Sequence, residues 1–133
     1  MRLTMEIVKQ LAVFLENQPG ALFRLTQDLA EKNINIAAIS VTDSIDHAVV
    51  RLVVDKPIEA IHIIEEKGTL VVESDLVKVT LKNEAGTLNQ MCKKLRTHQV
   101  NIEYAYGSTG EKDSNLYLRV FDTEKALKAL EAN

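Results

Sequence analysis

An α+β fold of two tandem units, each in the order βαββαβ, is what this 133-residue sequence predicts. Three observations predict it. The chain repeats itself at a constant spacing, and within each repeat the hydrophobic period switches in a regular order between strand-like alternation and helix-like spacing. The segments read as strands are also dense in β-branched residues.

Sliding the chain on itself by 66 residues superposes Val13 on Val79, Leu15 on Leu81, Asn17 on Asn83, Gly20 on Gly86, Leu22 on Leu88 and Leu29 on Leu95. Further along, Asn35 falls on Asn101, Ile36 on Ile102, Leu52 on Leu118 and Val54 on Val120, without a gap. Many other pairs swap one apolar residue for another, such as Leu25 with Met91 and Ile64 with Leu130. A constant offset over a whole unit marks a tandem duplication. Residues 9–74 are read as the first unit and 75–133 as the second.

Leu11, Val13 and Leu15 alternate with their neighbours as a first strand, which Asn17 to Pro19 break. Leu22, Leu25 and Leu29, spaced by three and four, predict an amphipathic helix. Ile34 to Thr42 reads as a second strand, and a polar turn at Asp43 to Asp46 leads to a third at Ala48 to Val54. Asp55 is placed as the N-cap of a second helix with Pro57 in its first turn, running through Ile58, Ile61 and Ile64 until Gly68 ends it. Thr69 to Glu73 closes the unit as a fourth strand. This order is ferredoxin-like, with helices on one face of an antiparallel sheet.

The second unit repeats the pattern: strand Val77 to Leu81, helix Gly86 to Thr97, strands Val100 to Tyr106 and Asn115 to Phe121, and helix Thr123 to Ala132. A fourth strand is missing from it. Shifting Thr69 to Ser74 back by 66 lands on Leu3 to Val8, a β-capable stretch. Neither copy is separated from the following first strand by a hairpin signal. Each is therefore expected to be one long strand passing from one sheet into the other, so that residues 3–8 complete the second sheet. The alternative is an open edge filled by a partner chain, since an unpaired edge invites aggregation.

Composition narrows the function. Apolar residues make up 46% and charged residues 26%, the balance of a soluble globular protein. A net charge of −3 without a basic tract gives nucleic acid little to hold. A single cysteine, Cys92, excludes an internal disulfide framework and a cysteine-based metal cage. MRLTMEIVKQ has no apolar signal region and no apolar run approaches a membrane span, so a cytoplasmic protein with no membrane partner is expected. Units of about 60 residues bury only about 60% of their unfolded surface, so the two are expected to lean on each other.

The unit with Asn17-Gln18-Pro19-Gly20-Ala21-Leu22 after its first strand, and Ile34-Asn35-Ile36 opening its second, resembles an ACT domain. This is the small ferredoxin-like module known for binding amino acids and regulating amino-acid metabolism. The resemblance covers nearly the whole chain twice and implies a protein similar to stand-alone tandem ACT proteins, in which no catalytic domain is expected. It implies two such domains side by side through their second strands, with ligand between the first loop of one and the second strand of the other. Carried over residue by residue, one site would combine Asn17, Gly20, Ala21 and Leu22 with Asn101 and Ile102. The other would combine Asn83, Gly86, Thr87 and Leu88 with Asn35 and Ile36. An amino-acid ligand, a homodimer and a partner enzyme of amino-acid metabolism are the partners it implies.

Physical chemistry supports part of that picture. A free amino acid needs N–H donors for its carboxylate and oxygen acceptors for its ammonium. The loop from Asn17 to Ala21 opens a helix, whose first N–H groups and positive dipole end favour an anion. Gly20 permits close approach to backbone, Pro19 pre-sets φ, and asparagine offers donor and acceptor together. The same residues also have a structural reading. A glycine after a strand can serve only a tight turn, Leu22 and Leu88 read as core first and pocket wall second, and Asn17 and Asn83 can cap helices. In the second copy Ala85 replaces the proline and Glu84 adds a charge.

Other residues carry less. Tyr104, Tyr106 and Gly107 suit one strand face. His47, His62 and His98 have no metal-ligand spacing and read as solvated surface, and Cys92 reads as a buried thiol beside Leu88, Met91 and Leu95. No cofactor or metal is expected. No nucleophile–base pair or phosphate-cradling loop points to an enzyme such as an acylphosphatase. An RNA-binding surface would need stacking aromatics with basic company, where only Phe14, Tyr117 and Phe121 stand with Arg119. The expectation is therefore a non-catalytic, amino-acid-binding regulatory protein, with an interaction subunit of a biosynthetic enzyme as the alternative.

Overall fold

The computed structural model describes residues 3–44 and 46–132. Its elements run β1 (Thr4–Glu16), α1 (Ala21–Glu31), β2 (Ile36–Asp43), β3 (His47–Val54), α2 (Pro57–Glu66), β4 (Leu70–Lys82), α3 (Thr87–Thr97), β5 (Ile102–Thr109), β6 (Asp113–Val120) and α4 (Thr123–Glu131). Six strands hydrogen-bond in the order β2-β3-β1-β4-β6-β5, all described pairs antiparallel. The βαββα pattern of elements and the antiparallel pairing agree with the tandem ferredoxin-like units expected. The second strands β2 and β5 are terminal in that order.

As the missing turn signals foretold, β1 and β4 are each uninterrupted over 13 residues. The chain nonetheless divides into two compact units part-way along both strands. Residues 9–74 form one, while residues 3–8 join 75–132 in the other. Lys9 Nζ meets Glu73 Oε1 at 3.2 Å and Gln10 Nε2 donates to Ser74 Oγ at 3.2 Å in the first unit. In the second, Lys78 Nζ lies 3.7 Å from Glu6 Oε1.

Each unit has its own core. In the first, Leu11, Val13, Leu25, Leu29, Val50, Leu52, Ala60 and Ile64 are buried together, with Val71 of β4 packed against them. In the other, Val77, Val79, Met91, Leu95, Leu118, Val120, Ala126 and Leu130 do the same, and Leu3 and Met5 of β1 pack against that cluster. The strand from the chain's beginning thus supplies apolar side chains to the later repeat's core.

Register is conserved across the duplication. Leu11 opposes Leu52 as Val77 opposes Leu118, and a bulge interrupts the β2–β3 ladder between Ile36 and Ala38 as another does the β5–β6 ladder between Ile102 and Tyr104. Because side chains alternate faces, a one-residue slip would turn these apolar sets outward, so burial of one face holds the register. Both first helices stop alike, with Asn33 and Gln99 at positive φ and the amides of Ile34 and Val100 bonding back to Leu29 and Leu95.

Several details differ from expectation. Lys56, not Asp55, is the N-cap of α2, and Asp55 turns its carboxylate to the Asn35 amide at 2.9 Å. Pro57 starts the helix directly, so its missing N–H costs nothing there. In α4 the capping does occur: Asp122 accepts from the Lys125 amide at 3.1 Å. Cys92 is exposed rather than buried, because the buried line of α3 is Met91 and Leu95 and Cys92 falls beside it. His47, His62 and His98 are exposed.

Candidate functional site

The Pro-Gly stretch makes a turn with a defined geometry. Gln18 to Ala21 close a β-turn through the Ala21 amide and the Gln18 carbonyl at 3.3 Å, and Gly20 sits at φ 86°, ψ −9°. Those are the angles of the third residue of a type II turn, where proline favours the second place and glycine the third. The second copy repeats it: Thr87 bonds to Glu84 at 3.3 Å, and Gly86 sits at φ 94°, ψ −15° with Ala85 in the proline's place. Each glycine is also the N-cap of the following helix, with no side chain capping it. The turn therefore leads straight into first-turn amides that a helix leaves without internal acceptors.

Neither Asn17 nor Asn83 caps a helix. Asn17 Nδ2 donates to Asp43 Oδ1 at 2.6 Å and to the Ser44 carbonyl at 3.3 Å. Asn83 Nδ2 donates to the Gly110 carbonyl at 2.9 Å, and the Asn83 amide to Lys112 at 2.8 Å. Both asparagines tie the end of a first strand to the hairpin between second and third strands. Their recurrence has a structural cause.

Leu22 and Leu88 are 38% and 52% exposed, against the expectation that they are core. Each lies one turn ahead of the buried line, which begins at Leu25 in α1 and Met91 in α3. Ile36 and Ile102 instead pack onto the two cores. Asn35 is held through its backbone by Asp55, whereas Phe121 stands at the corresponding place beyond Asn101. Within a unit the turn and the opening of the second strand lie at opposite ends of that strand, since Asn17 reaches Asp43 and Ile36 begins β2. Tyr106 stacks on Tyr117 with centroids 5.7 Å apart.

Beside the first turn the 9–74 unit opens into a cleft of about 620 Å³. Glu16, Gln18 and Ala21 form one side, Arg24 and Asp28 of α1 another, and Lys67 to Leu70 a third, over Leu25 and Ile64. Arg24 folds back so that its Nη1 lies 3.2 Å from where a Gly20 Cβ would stand. Sequence reasoning singled out Ala21 but missed Arg24, Asp28 and Lys67, which come from separate segments. The one signal available was that Arg24 and Asp28, spaced i, i+4, share a helix face. Among the described residues no group of three or more His, Cys, Asp or Glu could hold a metal, and no helix is long and apolar enough to cross a membrane.

The fold recurs in solved structures. Protein BT0572 from Bacteroides thetaiotaomicron superposes with a TM-score of 0.91 at 29% identity, over 96% of this chain and 88% of that one. The regulatory subunit of aspartate kinase from Thermus thermophilus, in its ligand-free form, gives 0.77 at 19% identity, over 98% and 93%. E. coli aspartokinase III in complex with lysine and aspartate gives 0.62 at 16% identity, over 98% of this chain and 31% of that one. No curated protein matches the sequence. Residues 5–132, spanning both turns and both cores, match the ACT domain pair family. The chain belongs to the ACT domain pairs.

Proposed function

We propose that this ACT domain pair is a cytoplasmic, non-catalytic regulatory protein of amino-acid metabolism, whose ligand is a free amino acid. The reading is supported chiefly by one observation: in a chain matching the ACT domain pair family, a left-handed glycine opens each first helix beside exposed backbone, and the first such turn borders a cleft. In this reading the contacts come from Asn17, Gly20, Ala21 and Leu22 in the first copy and Asn83, Gly86, Thr87 and Leu88 in the second. Asn35, Ile36, Asn101 and Ile102 flank them as the resemblance implies. The solved aspartate kinase regulatory subunit and the lysine- and aspartate-bound aspartokinase share the fold, and the second of these holds amino acids.

A thermal-shift screen of the twenty amino acids at about 1 mM tests it. A ligand at a hundred times its Kd stabilises the native state by about 2.7 kcal/mol, several degrees for a chain of this size. A shift with one or a few amino acids, reproduced by calorimetry, is expected. No shift with any, in folded protein, rejects the reading.

One feature favours a second reading, a subunit that docks on a partner enzyme or on a second copy. Ile39 and Val41 are 43% and 51% exposed on β2, a terminal strand whose outer edge is unpaired in the strand order. Such edges recruit further strands. Co-purification with an enzyme of amino-acid metabolism, lost on Val41→Lys, would favour it.

A further inference from the structure

The two repeats differ in side chains where the first one opens. The cleft of the 9–74 unit is lined by two cations, Arg24 and Lys67, and two anions, Glu16 and Asp28, above a floor of Leu25 and Ile64. Leu25 and Ile64 are buried core residues whose edges form that floor. Arg24 and Asp28 face the same side of α1 one turn apart, about 6 Å along the axis. Among the described residues neither side chain has an ion-pair or hydrogen-bond partner.

In the second repeat the corresponding residues are Lys82, Gln90, Lys94 and Leu130, for Glu16, Arg24, Asp28 and Ile64. Neither Glu16 nor Asp28 keeps its charge, although Glu84 stands where Gln18 does, and the space beside α3 is used. Lys94 Nζ reaches from α3 to the Leu130 carbonyl at 3.2 Å, partly buried, across what would be the same floor. Thr87, standing where Ala21 does, turns its hydroxyl onto the Lys82 and Glu84 carbonyls at 2.8 and 3.0 Å, closing the turn on itself. The donor and the acid that face the first cleft have become a plug.

We infer that the chain binds one α-amino acid with an aliphatic side chain, in the cleft of the 9–74 unit, and that Lys94 closes the counterpart in the second repeat. The inference rests on the amino-acid reading above and narrows it to one site and one ligand class. The α-carboxylate meets Arg24, whose guanidinium can grip it with two parallel hydrogen bonds. The ammonium meets Asp28, and the side chain lies over Leu25 and Ile64. A lining with balanced charge suits a zwitterion, and a second carboxylate on the ligand would meet Glu16 or Asp28 as a like charge. The volume lies within the range of about 300–1,000 Å³ typical of small-molecule sites.

Calorimetry on the full chain tests this with leucine, valine, lysine and glutamate as probes. The expected result is a stoichiometry of one per chain, with leucine or valine bound about tenfold or more tightly than glutamate. Arg24→Gln and Asp28→Lys, each importing the second repeat's side-chain type, weaken binding by about tenfold or more. Lys94→Ala leaves it unchanged. Arg24 is exposed, so Arg24→Gln keeps the test valid should Asp28→Lys disturb folding. Two sites per chain, or an amino acid bound as tightly by Arg24→Gln as by wild type, overturns the cleft assignment and leaves the amino-acid reading standing. No heat and no thermal shift with any of the twenty amino acids overturns both.

Discussion

Asn83 Nδ2 donates to the Gly110 carbonyl at 2.9 Å, and one repeat earlier Asn17 donates to Ser44 in the same way at 3.3 Å. The pair of bonds explains why asparagine recurs at this place. It locks the hairpin beyond the second strand to the end of the first. Asn17→Ala and Asn83→Ala are each expected to cost about 1 kcal/mol, the net worth of an ordinary hydrogen bond. Urea unfolding reads this directly. Should Asn17 serve only this clamp, Asn17→Ala will lower stability and leave ligand affinity unchanged.

Gly20 and Gly86 hold φ values of 86° and 94°. Alanine at either is expected to cost about 1–2 kcal/mol, the penalty of an L-residue in left-handed geometry. Gly20→Ala and Gly86→Ala should cost about the same, because the atom nearest a Gly20 Cβ, Arg24 Nη1 at 3.2 Å, ends an exposed side chain that can move aside, and nothing lies within 4 Å at Gly86. The reverse exchange, Ala85→Pro, copies the first turn and should stabilise by about 0.4–1 kcal/mol by restricting the unfolded chain. Thermal melts of the variants would rank all three.

Gly107 on β5 opposes Leu116 on β6. A Cβ there would overlap the Asn115 carbonyl oxygen, so the two backbones approach more closely than any side chain allows. Gly107→Ala should destabilise by about 1–3 kcal/mol, as overpacking does. The first copy carries Val41 at this register position, and Val41→Gly should cost less than a core truncation since Val41 is half exposed.

Met5 packs on the core of the 75–132 unit although it lies in the first strand of the chain. Met5→Asp places a charge against that core and should destabilise it by about 1–3 kcal/mol. Native-state hydrogen exchange is expected to speed up in α3 and α4 more than in α1 and α2. Equal acceleration in both helix pairs would contradict the assignment of residues 3–8.

The fold was legible because its instructions are local and repeated. Val13 and Val79, or Leu52 and Leu118, mark one register twice, and the absence of a Gly, Pro or Asn-Gly signal between Val8 and Leu11 or between Ser74 and Val77 betrayed the long strands. Side-chain exposure was less legible. Leu22, Leu88 and Cys92 satisfy a helical apolar pattern, yet helices α1 and α3 bury a narrow line of two residues each, which periodicity alone does not resolve. The cleft was illegible for another reason: Glu16, Arg24 and Lys67 line it together only after three segments fold.

The halving of β1 and β4 sets an order of events during synthesis. All partners of the 9–74 unit have been made once the first half of β4 is, so its core can close before the second repeat is complete. Residues 3–8, made before the 9–74 unit, find their apolar partners only when α3, β6 and α4 arrive. Until then an apolar strand end waits unpaired, the kind of exposed edge on which nascent chains misassociate. Glu6 within that stretch and Lys9 just after it are charges of the kind that guard an apolar strand against such association.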